Sequence, residues 1–549
     1  MAWNSAMHEG RGVPRTAPEK RPCVPDGRSR FAALLAIMLA AGSLVSPASA
    51  GEAQALSAST IRETQTGKVQ GLDGDVMSFR GIPYASPPMG PLRWRAPGPP
   101  ERWTGVRSAT QFGSDCFGSP HLRKGSLAPG PSEDCLYLNV WAPRDASPGR
   151  YPVMVWIYGG GFTGGSAAMP FYDGEALAKQ GVVVVTFNYR TNILGFFAHP
   201  ALSRESGNGV SGNYGLLDVL AALRWVQENA GAFGGDRDRV TVFGESAGAS
   251  AIGLLLTSPL SQGLFSGAIL ESPGLMRPLA TLAESSAAGE QLGSDLTQLR
   301  ATDPAALMAR AASTIPASRN LRQPRPIGPI IDGVVLPRSD GEAIAAGALA
   351  SVPVIIGSNA DEGRIFVDRA PVETAADYQA YLQTQFGDQA GALARCYPVT
   401  ADAEVKATVS RVFGDNQFNN GIDAFSAALS RRSTPVFRYR FNGNTGDGRL
   451  PATHGEEIPF VFNTLIPDEV GLFSWLPRGG TPHDQALARA MSRAWTTFAK
   501  RGDPNGDGPV VWPAYKPGGQ IMTFGPTGAA KAQPEPKTNQ SCVGRAQTP

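Results

Sequence analysis

Val240-Thr241-Val242-Phe243-Gly244-Glu245-Ser246-Ala247-Gly248 decides how this chain folds. A β-branched run stops at Gly244, and an Ala/Leu-rich stretch with helical spacing follows Gly248. A strand that turns abruptly into a helix at G-x-S-x-G strains the serine backbone and stands its hydroxyl at the C-terminal edge of a sheet. The flanking glycines keep bulk away where the chain passes close to its neighbours. The five-residue pattern alone arises by chance in a chain with 65 glycines. The strand before it and the helix after it make Ser246 a candidate nucleophile.

Outward from this turn, the chain has the rhythm of alternating strands and helices. Val153 to Tyr158 and Val182 to Asn188 are near-continuous apolar runs, the signature of parallel strands covered on both faces. Leu216 to Asn229 has helical spacing, and Ala268 to Glu271, Pro353 to Gly357 and Phe437 to Phe441 read as further strands. Regions 275–351 and 370–432 are rich in helical patterns with no clear strand, and are expected as two helical excursions over the sheet edge. Strands alternating with helices predict an α/β fold with a mostly parallel sheet. At 549 residues, length alone suggests three or four domains, but the continuous rhythm reads as one catalytic body over 51–549.

A serine hydroxyl needs a base, and the base needs a third group to orient it. In this fold class the chain order is Ser, acid, His. Only His454 and His483 follow Ser246; His483 falls at a helix start, so His454, before Gly455 on a loop, is the expected base. Asp361 and Glu362 both stand just past the Pro353 to Gly357 strand, and spacing does not choose between them. Gly159-Gly160-Gly161 after a strand end can aim backbone N–H groups at an oxyanion, joined by the N–H of Ala247. No zinc spacing occurs, and the Asp503-Pro504-Asn505-Gly506-Asp507 turn has Ala514 where a calcium loop needs its bidentate Glu. This chemistry calls for no metal or organic cofactor.

A formal charge of +2 favours neither nucleic acid nor an anionic membrane. Residues 1–50 carry six Lys/Arg against three Asp/Glu, so the remainder nets −1. Arg28 and Arg30, an apolar run from Phe31 to Val45, and Ala48-Ser49-Ala50 form the order of a secretory signal peptide. Export to the periplasm or medium, with no membrane association after cleavage, is therefore expected. Outside the leader, Cys116, Cys135, Cys396 and Cys542 permit three pairings. The short loop favours Cys116 with Cys135, leaving Cys396 with Cys542 or as free thiols.

With these residues assembled, the chain resembles the type-B carboxylesterases, the cholinesterase-like branch of the α/β-hydrolases. The likeness rests on Gly81-Ile82-Pro83-Tyr84, Glu133-Asp134-Cys135-Leu136, Tyr158-Gly159-Gly160-Gly161-Phe162, Gly244 to Gly248, Asp361-Glu362-Gly363 and His454-Gly455. The resemblance implies that Glu362 is the acid, and that Gly160, Gly161 and Ala247 are the oxyanion donors. It implies a Cys116–Cys135 disulfide, ion pairs Arg93–Glu133 and Arg190–Asp218, and a supporting shell of Glu245 and Ser272. Tyr158 stands where many members have His, and the Cys116–Cys135 loop lacks the Trp of a choline platform. More narrowly, Glu271 to Leu282 and Arg395-Cys396-Tyr397-Pro398 resemble bacterial fumonisin esterases, which release tricarballylic acid, and this likeness favours the Cys396–Cys542 pair. An acyl group bearing carboxylates calls for cations. Arg277 and Arg325 are the candidates, with Tyr158 as a further substrate contact. Two rival readings are an esterase for neutral esters and a non-catalytic binding protein of the same fold.

Overall fold

The computed structural model describes residues 60–536, apart from 146, 316–317, 319, 444–449, 466–480, 507–509 and 526–529. The expected leader and Cys542 lie outside the described residues, which all belong to one unit, Ala55–Pro549.

The sheet has ten strands: β1 (Met77–Pro83), β2 (Tyr137–Ala142), β3 (Tyr151–Ile157), β4 (Val183–Phe187), β5 (Gly235–Glu245), β6 (Gly267–Glu271), β7 (Val354–Asn359), β8 (Val436–Phe441), β9 (Gln520–Phe524) and β10 (Ala530–Pro534). Their spatial order is β10-β9-β8-β7-β6-β5-β3-β4-β2-β1. From β4 through β9 every pairing is parallel, and the antiparallel pairings lie toward the two edges. The elbow strand β5 lies between β3 and β6, with Gly244 opposite Ile157 on one side and Leu270 on the other. Because the inner strands run one way, their C-terminal ends share one edge, and chain leaving them converges there.

The inner strands are covered on both faces, as their apolar runs require. Helix α1 (Tyr214–Asn229) buries eleven of its sixteen residues, and all nine residues of α2 (Ala247–Leu255) are buried. Beneath the elbow strand, Trp156 packs against Phe243 with ring centroids 4.8 Å apart and meets Phe462 edge-on at 5.0 Å. Full burial of each such ring removes apolar surface worth about 1.5–3 kcal/mol or more. Late in the chain, Pro482–Arg501 forms a twenty-residue helix, begun by the Thr481 hydroxyl accepting from Asp484 N and ended at Gly502 in the left-handed region. His483 sits in its first turn, as expected.

Both excursions are present. The first, between β6 and β7, contains Leu282–Glu290, Leu296–Ala301, Pro304–Thr314 and Asp340–Ala345. One expectation fails there: Ala280–Thr281 and Ile330–Ile331 form a short parallel ladder where no strand was read. Two-residue strands carry no alternation that a sequence pattern could reveal. The second excursion, between β7 and β8, includes α3 (Val405–Gly414) and α4 (Asn420–Leu429), joined by a π-helical turn over Asp415–Asn419. Among the described residues no helix is long and apolar enough to cross a membrane. Cys116 and Cys135 are disulfide-bonded across a separation of 19 residues. Cys396 is also disulfide-bonded, while its expected partner Cys542 lies outside the described residues.

Candidate active site

Five strand ends supply the site. Ser246, at the end of β5, has φ 56° and ψ −120° and serves as N-cap of α2. Its N–H donates to Glu271 O at 2.8 Å, and its carbonyl accepts from Ser250 N at 2.8 Å and Ser250 Oγ at 2.9 Å. The strained backbone is thus held from both sides. Gly248 has no alternative: a methyl group there would stand 1.8 Å from the Ile157 carbonyl oxygen. The Ser246 hydroxyl itself makes no hydrogen bond among the described residues, so it is free to react.

His454 follows β8, and its Nδ1–H donates to Glu362 Oε2 at 2.6 Å. Glu362, just past β7, also accepts from Ser272 Oγ and from Asn359 N, both at 2.6 Å through Oε1. Its neighbour Asp361 turns elsewhere, accepting from Ser410 Oγ and lying 3.4 Å from Arg364 Nε. The choice that spacing left open between the two carboxylates is made by direction. On the other edge of the imidazole, Nε2 lies 3.0 Å from Glu245 Oε1. The alignment is that of a charge contact, since each atom lacks a hydrogen-bond partner among the described residues. Once the imidazole is neutral, Nε2 is available to a serine proton, and such bonds often tighten only when substrate is bound.

Burial opposes a charge on His454, but Glu245 and Glu362 override it and push the imidazole up to about 9. Burial pushes Glu245 up to about 7, with His454 pulling it down and Glu362 raising it. The pocket thus stabilises an imidazolium, the species formed when a serine proton is taken.

Some participants had no signal in the motifs. Glu457, 0% exposed, accepts from the Asn359 amide and from Ser272 Oγ at 3.4 Å, and burial pushes it up to about 8. It lies three residues after His454, about one helical turn on, and that spacing could have flagged it. Phe418, from the π-helical turn, places its ring 4.4 Å from the imidazole, and Phe366 lies at 5.1 Å. Turns of this kind cluster at functional sites, but nothing in the sequence announces one.

Past β3, Gly160 has φ 107° and Gly161 φ 63°. A side chain at Gly160 would meet the Gly164 carbonyl at 2.2 Å, and Thr163 N closes the loop on Gly160 O at 3.0 Å. Glu245 packs against the same loop: a methyl group at Gly159 would stand 2.5 Å from its Oε2. Tyr158 corrects an expectation. It is 1% exposed, stacks on Tyr189 at 4.6 Å and donates to Tyr189 O at 3.2 Å. A ring buried behind the strand supports the glycine loop and offers no surface to a substrate.

Arg325 Nη1 donates to Gly161 O at 3.0 Å. Arg277 folds over Gly274, its Nη1 3.4 Å from where a methyl group there would sit. Gly274 N in turn donates to Ser250 Oγ at 2.9 Å, one link from Ser246. The expected ion pairs are formed, with Arg93 Nε 2.7 Å from Glu133 and Arg190 Nη2 2.7 Å from Asp218. Asp503 accepts from Asn505 N at 2.8 Å, the turn that was expected there.

A freed serine hydroxyl, an imidazole held by a carboxylate and a rigid glycine loop at one sheet edge are the parts that acyl transfer needs. The carboxylesterase family model matches residues 58–541. The chain is 58% identical over 465 residues to the fumonisin B1 esterase of Sphingopyxis macrogoltabida, covering 85% of this chain and 86% of that protein. It is 40% identical to the para-nitrobenzyl esterase of Bacillus subtilis (strain 168), over 83% of this chain and 92% of that one. A solved para-nitrobenzyl esterase superposes with a TM-score of 0.76 at 35% identity, covering 89% of this chain and 99% of its own. The chain belongs to the carboxylesterase family, has the α/β-hydrolase fold and is a serine carboxylesterase.

Proposed function

We propose that this esterase is exported and hydrolyses fumonisin-type esters, releasing tricarballylic acid. Ser246 attacks the ester carbonyl while His454 Nε2 takes its proton, and Glu362 holds the imidazole and stabilises its cation. The N–H groups of Gly160, Gly161 and Ala247 hold the oxyanion. His454 returns the proton to the departing alkoxide, and water then hydrolyses the acyl-enzyme by the same route in reverse. Glu245 and Ser272 support the base and the acid. The observation that carries the substrate class is the 58% identity to a fumonisin B1 esterase across most of both chains. The Cys116–Cys135 disulfide supports an oxidising compartment.

The test is to incubate purified protein with fumonisin B1 and follow released tricarballylic acid by mass spectrometry, in wild type and Ser246→Ala. Release by the wild type and loss of about 10⁶-fold in the variant are expected. Hydrolysis confined to neutral short-chain esters would favour the broad-specificity reading instead. If no ester is turned over, the non-catalytic reading stands.

A further inference from the structure

Arg277 makes no hydrogen bond or ion pair among the described residues, and Arg325 bonds among them to the Gly161 carbonyl alone. Among the described residues no carboxylate offsets either guanidinium. Arg277 is half-buried and Arg325 is exposed at its edge. The protein packed around them, with the Arg325 charge second, pushes Arg277 down to about 9, while burial lowers Arg325. Two cations on either side of Ser246, near enough for the Arg325 charge to lower Arg277 and without a counter-ion among the described residues, repel one another in the free protein. A chain that keeps them so, one link from the nucleophile on one side and on the oxyanion loop on the other, has left room for a counter-ion that arrives with the substrate.

We infer that Arg277 and Arg325 form one two-cation subsite for an acyl group bearing free carboxylates, with divided labour. This rests on the esterase reading of Ser246. Arg277 folds over Gly274 and is free to grip a carboxylate bidentately. Arg325 shares its guanidinium between substrate and Gly161 O, so it also braces the loop that carries the oxyanion donors. Arg277 is a specificity residue; Arg325 is in addition a positioning residue. Because the released polycarboxylic acid keeps the same carboxylates, the free acid binds the same subsite.

The experiment compares a 4-nitrophenyl ester of tricarballylic acid with its uncharged dimethyl counterpart, and adds free tricarballylic acid in thermal melts. For Arg277→Gln, kcat/KM on the charged ester falls about 10–100-fold, mostly through KM. On the dimethyl ester it changes less than about threefold, which also shows that the variant is folded. Arg277→Lys recovers part of the loss, since it restores charge without the fork. Arg325→Gln lowers kcat on both esters. Free tricarballylic acid raises the melting temperature of the wild type and not of Arg277→Gln. An equal loss on both esters in Arg277→Gln, or an undiminished thermal response to the acid, overturns the subsite. Wild type that hydrolyses both esters without preference also removes the subsite but leaves the esterase standing. Wild type that hydrolyses neither ester removes the esterase reading, and the melts still decide the subsite.

Discussion

Arg190 and Arg277 carry the same group under opposite conditions. Arg190 is 3% exposed and doubly bonded to Asp218, through Nε at 2.8 Å and Nη2 at 2.7 Å, with Tyr214 beneath its guanidinium at 5.4 Å. Burial opposes its charge, but Asp218 and its hydrogen bonds win, and its pKa is raised. Arg277 has no such partner among the described residues, and its pKa falls to about 9. The first pair is complete before any ligand arrives and holds the fold; the second site is complete only in company. The same division runs through the pocket. Glu362 accepts from three donors and is closed, whereas the Ser246 hydroxyl and His454 Nε2 are open. Closed groups are judged by stability, open ones by turnover.

The largest effect expected is at the closed end of the catalytic line. Glu362→Gln takes away the carboxylate that accepts from His454 Nδ1, and kcat should fall by about 10⁴-fold. A loss under tenfold in steady-state kinetics would mean that another carboxylate orients the imidazole. Next, Asp218→Asn leaves the buried Arg190 charge uncompensated and should cost about 3–5 kcal/mol in denaturant unfolding. Turnover per folded molecule should hold, and a selective loss of turnover would break the distinction between closed and open arginines. Replacing Cys116 and Cys135 together by Ser releases a loop of 19 residues and should cost about 3 kcal/mol by the same measurement.

A smaller effect concerns pH. His454 must be neutral to take a proton, so kcat/KM rises as pH climbs through its pKa. Glu245 is first among the groups that raise that value. Glu245→Gln should therefore move the acid limb to lower pH by about one unit or more, read from a pH profile on a neutral ester. No shift would mean that the 3.0 Å contact carries no charge coupling. Stability follows the same sign. His454, Glu245 and Glu457 all have raised values in the folded chain, so each holds its proton more tightly folded than unfolded. Their contribution is fully present below their unfolded values and is lost as pH rises through about 7 to 9. The smallest effect is Arg277→Gln on the fold itself: removing an unpartnered charge should leave stability within about 0.5 kcal/mol or raise it. A clear loss would place Arg277 with Arg190.

How much of this could be read beforehand follows from the range of each signal. β3 to β7 were legible from apolar or β-branched runs near glycine turns, and β8 from its aromatic alternation Phe437, Tyr439, Phe441. β9 and β10 were missed: Gln520–Phe524 mixes polar and apolar residues without a continuous apolar run, and Ala530–Pro534 is an edge strand with largely exposed side chains and no alternation. Ser246 and His454 were legible from local turns and a short supply of histidines, but Glu362 needed family likeness because its distinction from Asp361 is one of direction. Phe418 was invisible, since its approach to His454 depends on one π-helical turn. Tyr158 stands beside the glycine loop along the chain, but its ring is buried against Tyr189, a contact that chain position does not reveal.

The first excursion leaves the sheet after β6 and returns at β7, and these are adjacent strands in fixed register, Ala268 to Val354 through Glu271 to Gly357. Ser272 N donates to Gly357 O at 2.9 Å, so departure and return are stapled together whatever lies between. Arg277 and Arg325 both ride on that interval, and the nucleophile, base and acid do not. If the proposed subsite sets acyl preference, that interval is a cassette: its residues can be exchanged between fixed strand ends while Ser246, Glu362 and His454 stay in place.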